Sequence, residues 1–322
     1  MSPNNIIREL KKYNNYLIIS HIDPEGDAIG SQLALGGLLK KLKKKYIIVN
    51  DHRVPHMYRN LKGAGSILPA KKSNMKYDVA IVLDAPSLKR TGKVADLLDK
   101  KKLIINIDHH ISNTKFGQVN WVDSKASSAG EMVWVLFDAA KIKPSKDEAE
   151  AIYIAIITDT GSFRYSNTNS LSHQIAADTI DLGVNIDKVA QLIYGNYSLK
   201  SRKLLAAVLT NMQVSKDGRI AWTKLTRQDF ETYQVRRGET DGYINFARSI
   251  SGVEVALTFK ETQEKGFVKV SFRSKTDFDV NKFAREFNGG GHPAAAGCLV
   301  KGTIKQVEKK VIGKLEKSLR GA

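Results

Sequence analysis

Leu103-Ile104-Ile105-Asn106-Ile107 runs without a break into Asp108-His109-His110, and this junction decides the fold. Four apolar residues in five, at the length of a short strand, fit a strand buried on both faces. The charged triplet then lies where that strand leaves its sheet. In open α/β sheets, ligands gather at such strand ends. Two imidazoles and a carboxylate are good ligands for a divalent cation, and both ring nitrogens need partners when buried. An isolated Asp-His-His also suits a surface loop or a helix cap. Its weight depends on what the rest of the chain brings to the same edge.

Upstream, Tyr16–Ser20 reads as a buried strand that enters His21-Ile-Asp-Pro-Glu-Gly-Asp27, after which Ala28 to Leu42 has helical apolar spacing. His21, Asp23, Glu25 and Asp27 are four oxygen or nitrogen donors in seven residues, and a helix starting there offers N–H groups to a phosphate. The plainer alternative is a turn with helix-capping carboxylates. Tyr46–Asn50 reads as a second strand, and 76–84 as a third that ends in Asp84. Three polar stops after three hydrophobic strands, with helical segments between them, give the βαβ pattern of a mostly parallel sheet. Right-handed crossovers bring such strand ends to one edge. The expected fold class is therefore α/β, an N-terminal sheet flanked by helices.

Downstream, Ser127 to Ala140 and Lys146 to Ile157 have helical spacing, and the second segment ends in Thr158-Asp159-Thr-Gly-Ser-Phe-Arg164. The helix macrodipole repels a carboxylate at a helix C-terminus, so Asp159 calls for a compensating positive group. Helical spacing continues over 170–183, 187–194 and 199–211. The texture then turns strand-like at 219–225, 253–259 and 267–273. We expect a first domain over 1–194, a helical connector over 195–215, and a smaller C-terminal α/β domain over 216–322 across a cleft. That second domain holds Asn288-Gly-Gly-Gly-His-Pro-Ala-Ala-Ala-Gly297, then strand residues Cys298–Val300 and a basic helix to Arg320. Gly289, Gly290 and Gly291 let backbone N–H groups approach an anion, and Ala294–Ala296 leave room for it.

The composition is that of a globular protein, with 42% hydrophobic and 26% charged residues. A formal charge of +18 points to polyanionic partners such as nucleic acids or nucleotides. The lysine clusters at Lys40–Lys45, Lys100–Lys102 and Lys305–Lys317 sit on predicted helix ends or exposed faces, where solvated charge is the commoner explanation. Cys298 is the single cysteine, which excludes an internal disulfide. No apolar run approaches the roughly 20 residues that cross a bilayer, so a cytoplasmic protein without membrane contact is the expectation.

Collected at one sheet edge, His21, Glu25, Asp27, Asp84, His109 and Asp159 supply four carboxylates, two imidazoles and no thiol. That set suits two Mn²⁺, Mg²⁺ or related ions such as Co²⁺ better than a structural zinc. Two such ions can polarise a phosphoryl oxygen and activate a water, which makes phosphoester hydrolysis the natural reaction.

In order and spacing these motifs, from Ser20 through Gly289-Gly-Gly-His292 to Gly297, resemble the DHH phosphoesterases with a C-terminal DHH-associated domain, in particular those acting on short oligoribonucleotides and 3′-phosphoadenosine 5′-phosphate. The resemblance implies that His21, Glu25, Asp27, Asp84, His109 and Asp159 hold two metal ions. It further implies that Asp108 orients a histidine, that His110 faces the scissile phosphate, and that Arg273 and His292 grip the phosphate end of the substrate beside Gly290 and Gly291. The expected partners are short RNA or DNA oligonucleotides, phosphonucleotides or dinucleotides, and a homodimer is compatible with the sequence. One position departs from the family, which usually has Asp where this chain has Glu25; the extra methylene moves the carboxylate by about a bond length. Two alternatives stand beside this reading. One is a phosphodiesterase of cyclic or linear dinucleotides, and the other a nucleotide- or RNA-binding protein whose catalytic site has decayed.

Overall fold

The computed structural model describes residues 1–70, 76–99, 101–240 and 242–320, so Lys100 of the second lysine cluster lies outside the described residues. The chain divides after Asn196 into two compact units.

The first unit begins with α1 (Pro3–Lys12), β1 (Asn15–Ile19), α2 (Gly26–Lys41), β2 (Lys45–Asn50), β3 (Ile67–Pro69), β4 (Val79–Leu83), β5 (Leu103–Asp108) and β6 (Val119–Val122). It continues with α3 (Ala129–Ala139), α4 (Lys146–Asp159), α5 (Ser170–Asp181) and α6 (Ile186–Ala190). The six strands form one sheet in the order β3-β2-β1-β4-β5-β6, and every neighbouring pair is parallel. On one face Ile18, Ile81 and Ile105 pack with Leu35, Leu38, Val133 and Leu136 of the helices. On the other, Leu17, Ile19, Val82 and Ile104 pack with Val94, Leu98 and Phe116 of the connecting segments. Burial on both faces is why these strands read as unbroken apolar runs.

Strand order reverses between β1 and β4, so the two chains leave the sheet in opposite directions there and open a crevice at its carboxyl edge. His21 follows β1 and Asp84 follows β4, on either side of that crevice.

Helix α2 is buried almost all round, and its glycines explain how. A Cβ on Gly26 would lie 2.4 Å from Thr158 Oγ1, one on Gly30 2.2 Å from the Ala151 carbonyl oxygen, and one on Gly37 2.4 Å from Glu148 Oε1. These contacts run antiparallel along α4, so the start of α2, with Asp27, lies against the end of α4, with Asp159. Gly30→Ala is expected to destabilise the protein by roughly 1–3 kcal/mol in urea unfolding, because the blocking atom is backbone and α4 must move away. In an unobstructed helix the same change would stabilise. A stabilised variant would contradict the close approach.

The second unit comprises α7 (Leu199–Thr210), β7 (Gln213–Val214), β8 (Ile220–Leu225), α8 (Arg227–Tyr233), α9 (Ile244–Arg248), β9 (Val255–Glu261), β10 (Phe267–Ser274), α10 (Val280–Arg285), β11 (Gly290–His292), β12 (Ala295–Lys301) and α11 (Ile304–Arg320). Its strands form a mixed sheet in the order β11-β12-β10-β9-β8-β7, with β8 and β9 parallel and the other pairs antiparallel. Val307, Val311 and Leu315 of α11 and Phe283 of α10 cover one face, packing on Leu257, Val270 and Phe272. Ile244 and Ala247 of α9 pack with Ala221 and Ala256 in a separate cluster. In the glycine run, Gly290–His292 pairs with Ala295–Gly297 as a short edge strand. A Cβ on Gly289 would lie 2.3 Å from the Gly297 carbonyl oxygen, so crowding between backbones demands glycine there.

Candidate metal centre

At the carboxyl edge of the first sheet, three carboxylates surround one imidazole nitrogen. His109 Nε2 lies 3.4 Å from Asp84 Oδ1, 3.6 Å from Asp27 Oδ2 and 3.7 Å from Asp159 Oδ2. These spacings exceed those of good hydrogen bonds, as expected of donors aimed at a common space. Ligand atoms of Asp27, His109 and Asp159 lie within 4.8 Å of one another, as do those of Asp84, Asp108 and His110. Asp84 joins the two groups, and its other oxygen lies 3.3 Å from His21 Nε2. The His21 Nδ1–H donates to the Ile22 carbonyl at 2.7 Å, which turns Nε2 toward Asp84. Asp84 is at φ 52°, a left-handed conformation that only a few non-glycine residues tolerate, and such positions cluster at functional sites.

The helices hold the remaining groups. Asp27 is fully buried and accepts from Ala129 N at 2.7 Å and Gly130 N at 2.8 Å, so the positive end of α3 points at this carboxylate. Asn167 Nδ2 donates to Asp159 Oδ2 at 3.0 Å and to the Ser127 carbonyl at 2.8 Å, tying Asp159 to the entry of α3. Asp108, also fully buried, accepts from His110 Nδ1 at 2.7 Å on one oxygen and from Asn113 Nδ2 at 2.5 Å on the other. Asn113 also reaches Asn106 Oδ1 at 2.9 Å.

Glu25 is exposed, stands at the N-cap of α2 without capping it, and joins neither cluster among the described residues. Its charge nevertheless raises the pKa of both His21 and Asp159. Asp23 is directed elsewhere, with Oδ1 2.7 Å from His52 Nδ1.

Crowding of like charge governs protonation. Burial and the neighbouring Asp84 charge push the Asp27 carboxyl well above its ordinary range. Asp159 is pushed up to about 6 by burial, with His109 opposing and Glu25 and Asp84 reinforcing. Burial disfavours the Asp84 carboxylate too, but contacts with His109 and His21 outweigh it and hold that group far below the usual range. Burial lowers the pKa of both histidines, yet Asp84 lifts His21 to about 9, and Asp159, Asp84 and Asp27 raise His109. Protons thus neutralise a buried anionic cluster whose oxygen and nitrogen donors and lack of thiols fit hard divalent cations. Cation binding must displace those protons. Mn²⁺ affinity is therefore expected to rise from pH 6 toward pH 9, the interval between Asp159 and His21, with more than one proton released per chain. Calorimetry in buffers of different ionisation enthalpy measures that number, and a pH-independent affinity would contradict it.

In the second unit, Arg273 of β10 and His292 of β11 both register with Ala295 of the intervening β12. Residues in one antiparallel row share a face, so the two side chains flank a methyl group with strand axes about 10 Å apart. The Gly291 N–H donates to Asn281 Oδ1 at 3.0 Å.

The sequence reading did not find Asn113, Asn167 or the entry of α3. Asn106 gave the one visible signal, a polar residue inside an apolar strand.

The description of the DHH family, N-terminal domain, matches residues 15–156, an interval that contains His21, Asp27, Asp84 and the Asp108-His109-His110 triplet. A DHHA1 domain matches residues 224–320, including Arg273 and His292. The chain belongs to the DHH family. DHH-family phosphoesterases are metal-dependent hydrolases, and the buried acidic and histidine cluster is where this member can hold its metal. The bifunctional oligoribonuclease and PAP phosphatase NrnA of Bacillus subtilis is 28% identical over 298 residues, covering 92% of each chain. NrnA of Thermus thermophilus is 29% identical over 306 residues, covering 95% of this chain and 90% of its own. The crystal structure of an exopolyphosphatase-related protein from Bacteroides fragilis superposes with a TM-score of 0.89 at 29% identity, covering 99% of this chain and 97% of that one. No helix among the described residues is long and apolar enough to cross a membrane.

Proposed function

We propose that this DHH phosphoesterase hydrolyses short oligoribonucleotides and 3′-phosphoadenosine 5′-phosphate with two divalent cations, Mn²⁺ foremost, in the cytoplasm. The observation that carries the reading is the convergence of Asp27, Asp84 and Asp159 on His109 Nε2 at the switch point of the sheet. The resemblance to the NrnA proteins supports the substrate class.

His21, Asp27, Asp84, His109 and Asp159 would hold the cations, with Glu25 reaching in from the mouth. When bound, the pair supplies Lewis-acid stabilisation of the phosphoryl oxygens and acidifies water for attack. The chain's own residues do the rest. Asp108 accepts from His110 Nδ1 and fixes the ring, which leaves Nε2 to face the leaving oxygen and give it a proton. Asn113 holds Asp108 in that orientation. Arg273 and His292 bind the terminal phosphate of the substrate on either side of Ala295, alongside Gly290 and Gly291.

The test is turnover by metal-stripped protein, restored stepwise with Mn²⁺, on 5′-phosphorylated diadenylate, 3′-phosphoadenosine 5′-phosphate and cyclic diadenylate. Mn²⁺-dependent cleavage of the first two supports the proposal. Tight binding without turnover would instead support a decayed site. Because Glu25 stands where the family usually has Asp, Glu25→Asp is expected to raise Mn²⁺ affinity several-fold; it also adds an N-cap oxygen worth up to about 1 kcal/mol to α2. Unchanged affinity and turnover would show that the longer side chain is fully accommodated.

A further inference from the structure

A cavity of about 210 Å³ opens just after β2 and beside β3 in the first unit, outside the metal cluster. Its apolar wall is Val54, Ile67, Leu68 and Pro69, and its polar lining is His52, Arg53 and Arg59, with no carboxylate among the lining residues. Arg59 Nε donates to the Val54 carbonyl at 3.1 Å, an anchor that fixes where its guanidinium sits. Two arginines beside an apolar wall form a site for an anion joined to a flat apolar body. A small inorganic anion would have no use for the wall.

The cavity is coupled to the first metal-site segment. His52 Nδ1 meets Asp23 Oδ1 at 2.7 Å, and chain connectivity keeps the Asp23 Cα within roughly 7 Å of those of His21 and Glu25. Asp23 holds φ 54°, and its backbone N–H also donates to His52 Nδ1 at 3.1 Å. Further positive charge lies alongside. The Arg90 carbonyl accepts from Ile22 N at 2.7 Å, and Lys93 N donates to Asp51 Oδ2 at 2.9 Å, which brings two exposed basic residues to the same strand edge. A basic track thus leads away from an acidic, metal-binding centre.

We propose that this cavity is a subsite for the leaving strand of an oligonucleotide. Arg53 and Arg59 hold the first phosphate beyond the scissile bond, and the attached base lies on Ile67, Leu68 and Pro69. The inference rests on the hydrolysis of oligonucleotides proposed above and extends it. A dinucleotide and 3′-phosphoadenosine 5′-phosphate have no phosphate at that position; a trinucleotide has one.

The test compares kcat/KM on 5′-phosphorylated triadenylate and diadenylate for the wild-type chain, Arg53→Glu/Arg59→Glu and Arg53→Lys/Arg59→Lys. The glutamate variant is expected to lower the triadenylate-to-diadenylate ratio about tenfold or more, with the loss in KM, and the lysine variant to restore most of it. The wild-type preference for triadenylate should also weaken with added salt. An unchanged ratio, or an equal loss on both substrates, overturns the subsite. Fluorescence anisotropy of labelled triadenylate in EDTA separates this inference from the proposed reaction. If the wild-type chain binds triadenylate tightly in EDTA, still cleaves nothing once excess Mn²⁺ is restored, and loses binding in the glutamate variant, the reaction is wrong and the subsite stands. Equal binding by all three chains removes the subsite whether or not hydrolysis occurs.

Discussion

Asp84→Asn lowers turnover on 5′-phosphorylated diadenylate by about a thousandfold or more while leaving a folded protein. Asp84 is the carboxylate that touches both halves of the centre. One oxygen lies 3.3 Å from His21 Nε2, and the other lies 3.4 Å from His109 Nε2 and 3.6 Å from His110 Nδ1. Asparagine has the same shape, so no cavity opens, but it replaces one acceptor by a donor and removes a unit of charge. No neighbour can substitute, because Asp27 is held by the start of α3 and Asp159 by Asn167. Activity within tenfold of wild type would remove Asp84 from the metal centre.

The same substitution makes a distinct stability prediction for the metal-free protein. Asp84 is depressed, so its contribution is present above the ordinary carboxylate range and lost as pH falls through it. His21 is raised to about 9, so its contribution is full below about 6.5 and disappears as pH rises through 9. Asp84→Asn should therefore lower the melting temperature in EDTA most at pH 5–6 and least at pH 9. Breaking a buried pair costs up to roughly 3–5 kcal/mol, and deprotonation of the histidines reduces that cost as pH rises. A loss that grows with pH would overturn the assignment of charges.

What the sequence made legible was whatever depends on local pattern. Strands β1, β2, β4 and β5 announce themselves because a sheet buried on both faces needs unbroken apolar runs. Strand order is not local. Nothing in the β1 or β4 segments says that they are neighbours at the reversal, yet that adjacency brings His21 to Asp84. The partners of the charged groups were invisible for the same reason. Asn113 reads as an ordinary turn asparagine until Asp108 lies beside it, and the N–H groups of Ala129 and Gly130 carry no sequence signature at all. Glycine was legible as a type, but its backbone crowding was not. Gly289 just before the edge strand and Gly291 within it answer to neighbouring backbone, and the Gly291 N–H is donated to Asn281. Asp159, which the sequence marks as calling for a positive neighbour, has His109 Nε2 3.7 Å from its Oδ2.

His110→Ala is expected to lower kcat by roughly 10²–10⁴-fold while leaving Mn²⁺ affinity within a few-fold of wild type. What matters is which ring atom is committed. Nδ1 is 2.7 Å from Asp108 Oδ1, and Asp108 is itself held by Asn113, so the ring is oriented from behind and its Nε2 turns outward. A metal ligand and a proton donor respond differently to truncation. Loss of a ligand reduces ion binding and turnover together, whereas loss of a donor spares the ion and penalises departure of a poor leaving group. A p-nitrophenyl ester of a nucleotide, whose leaving oxygen needs no proton, should therefore recover most of the lost rate in His110→Ala. Asn113→Ala should show the same pattern at smaller size, about 10–100-fold, because it acts through Asp108 on the orientation of the ring. If Mn²⁺ affinity falls as far as kcat, or the activated ester is no better a substrate than the natural one, His110 is a ligand of the metal and the leaving oxygen takes its proton from elsewhere.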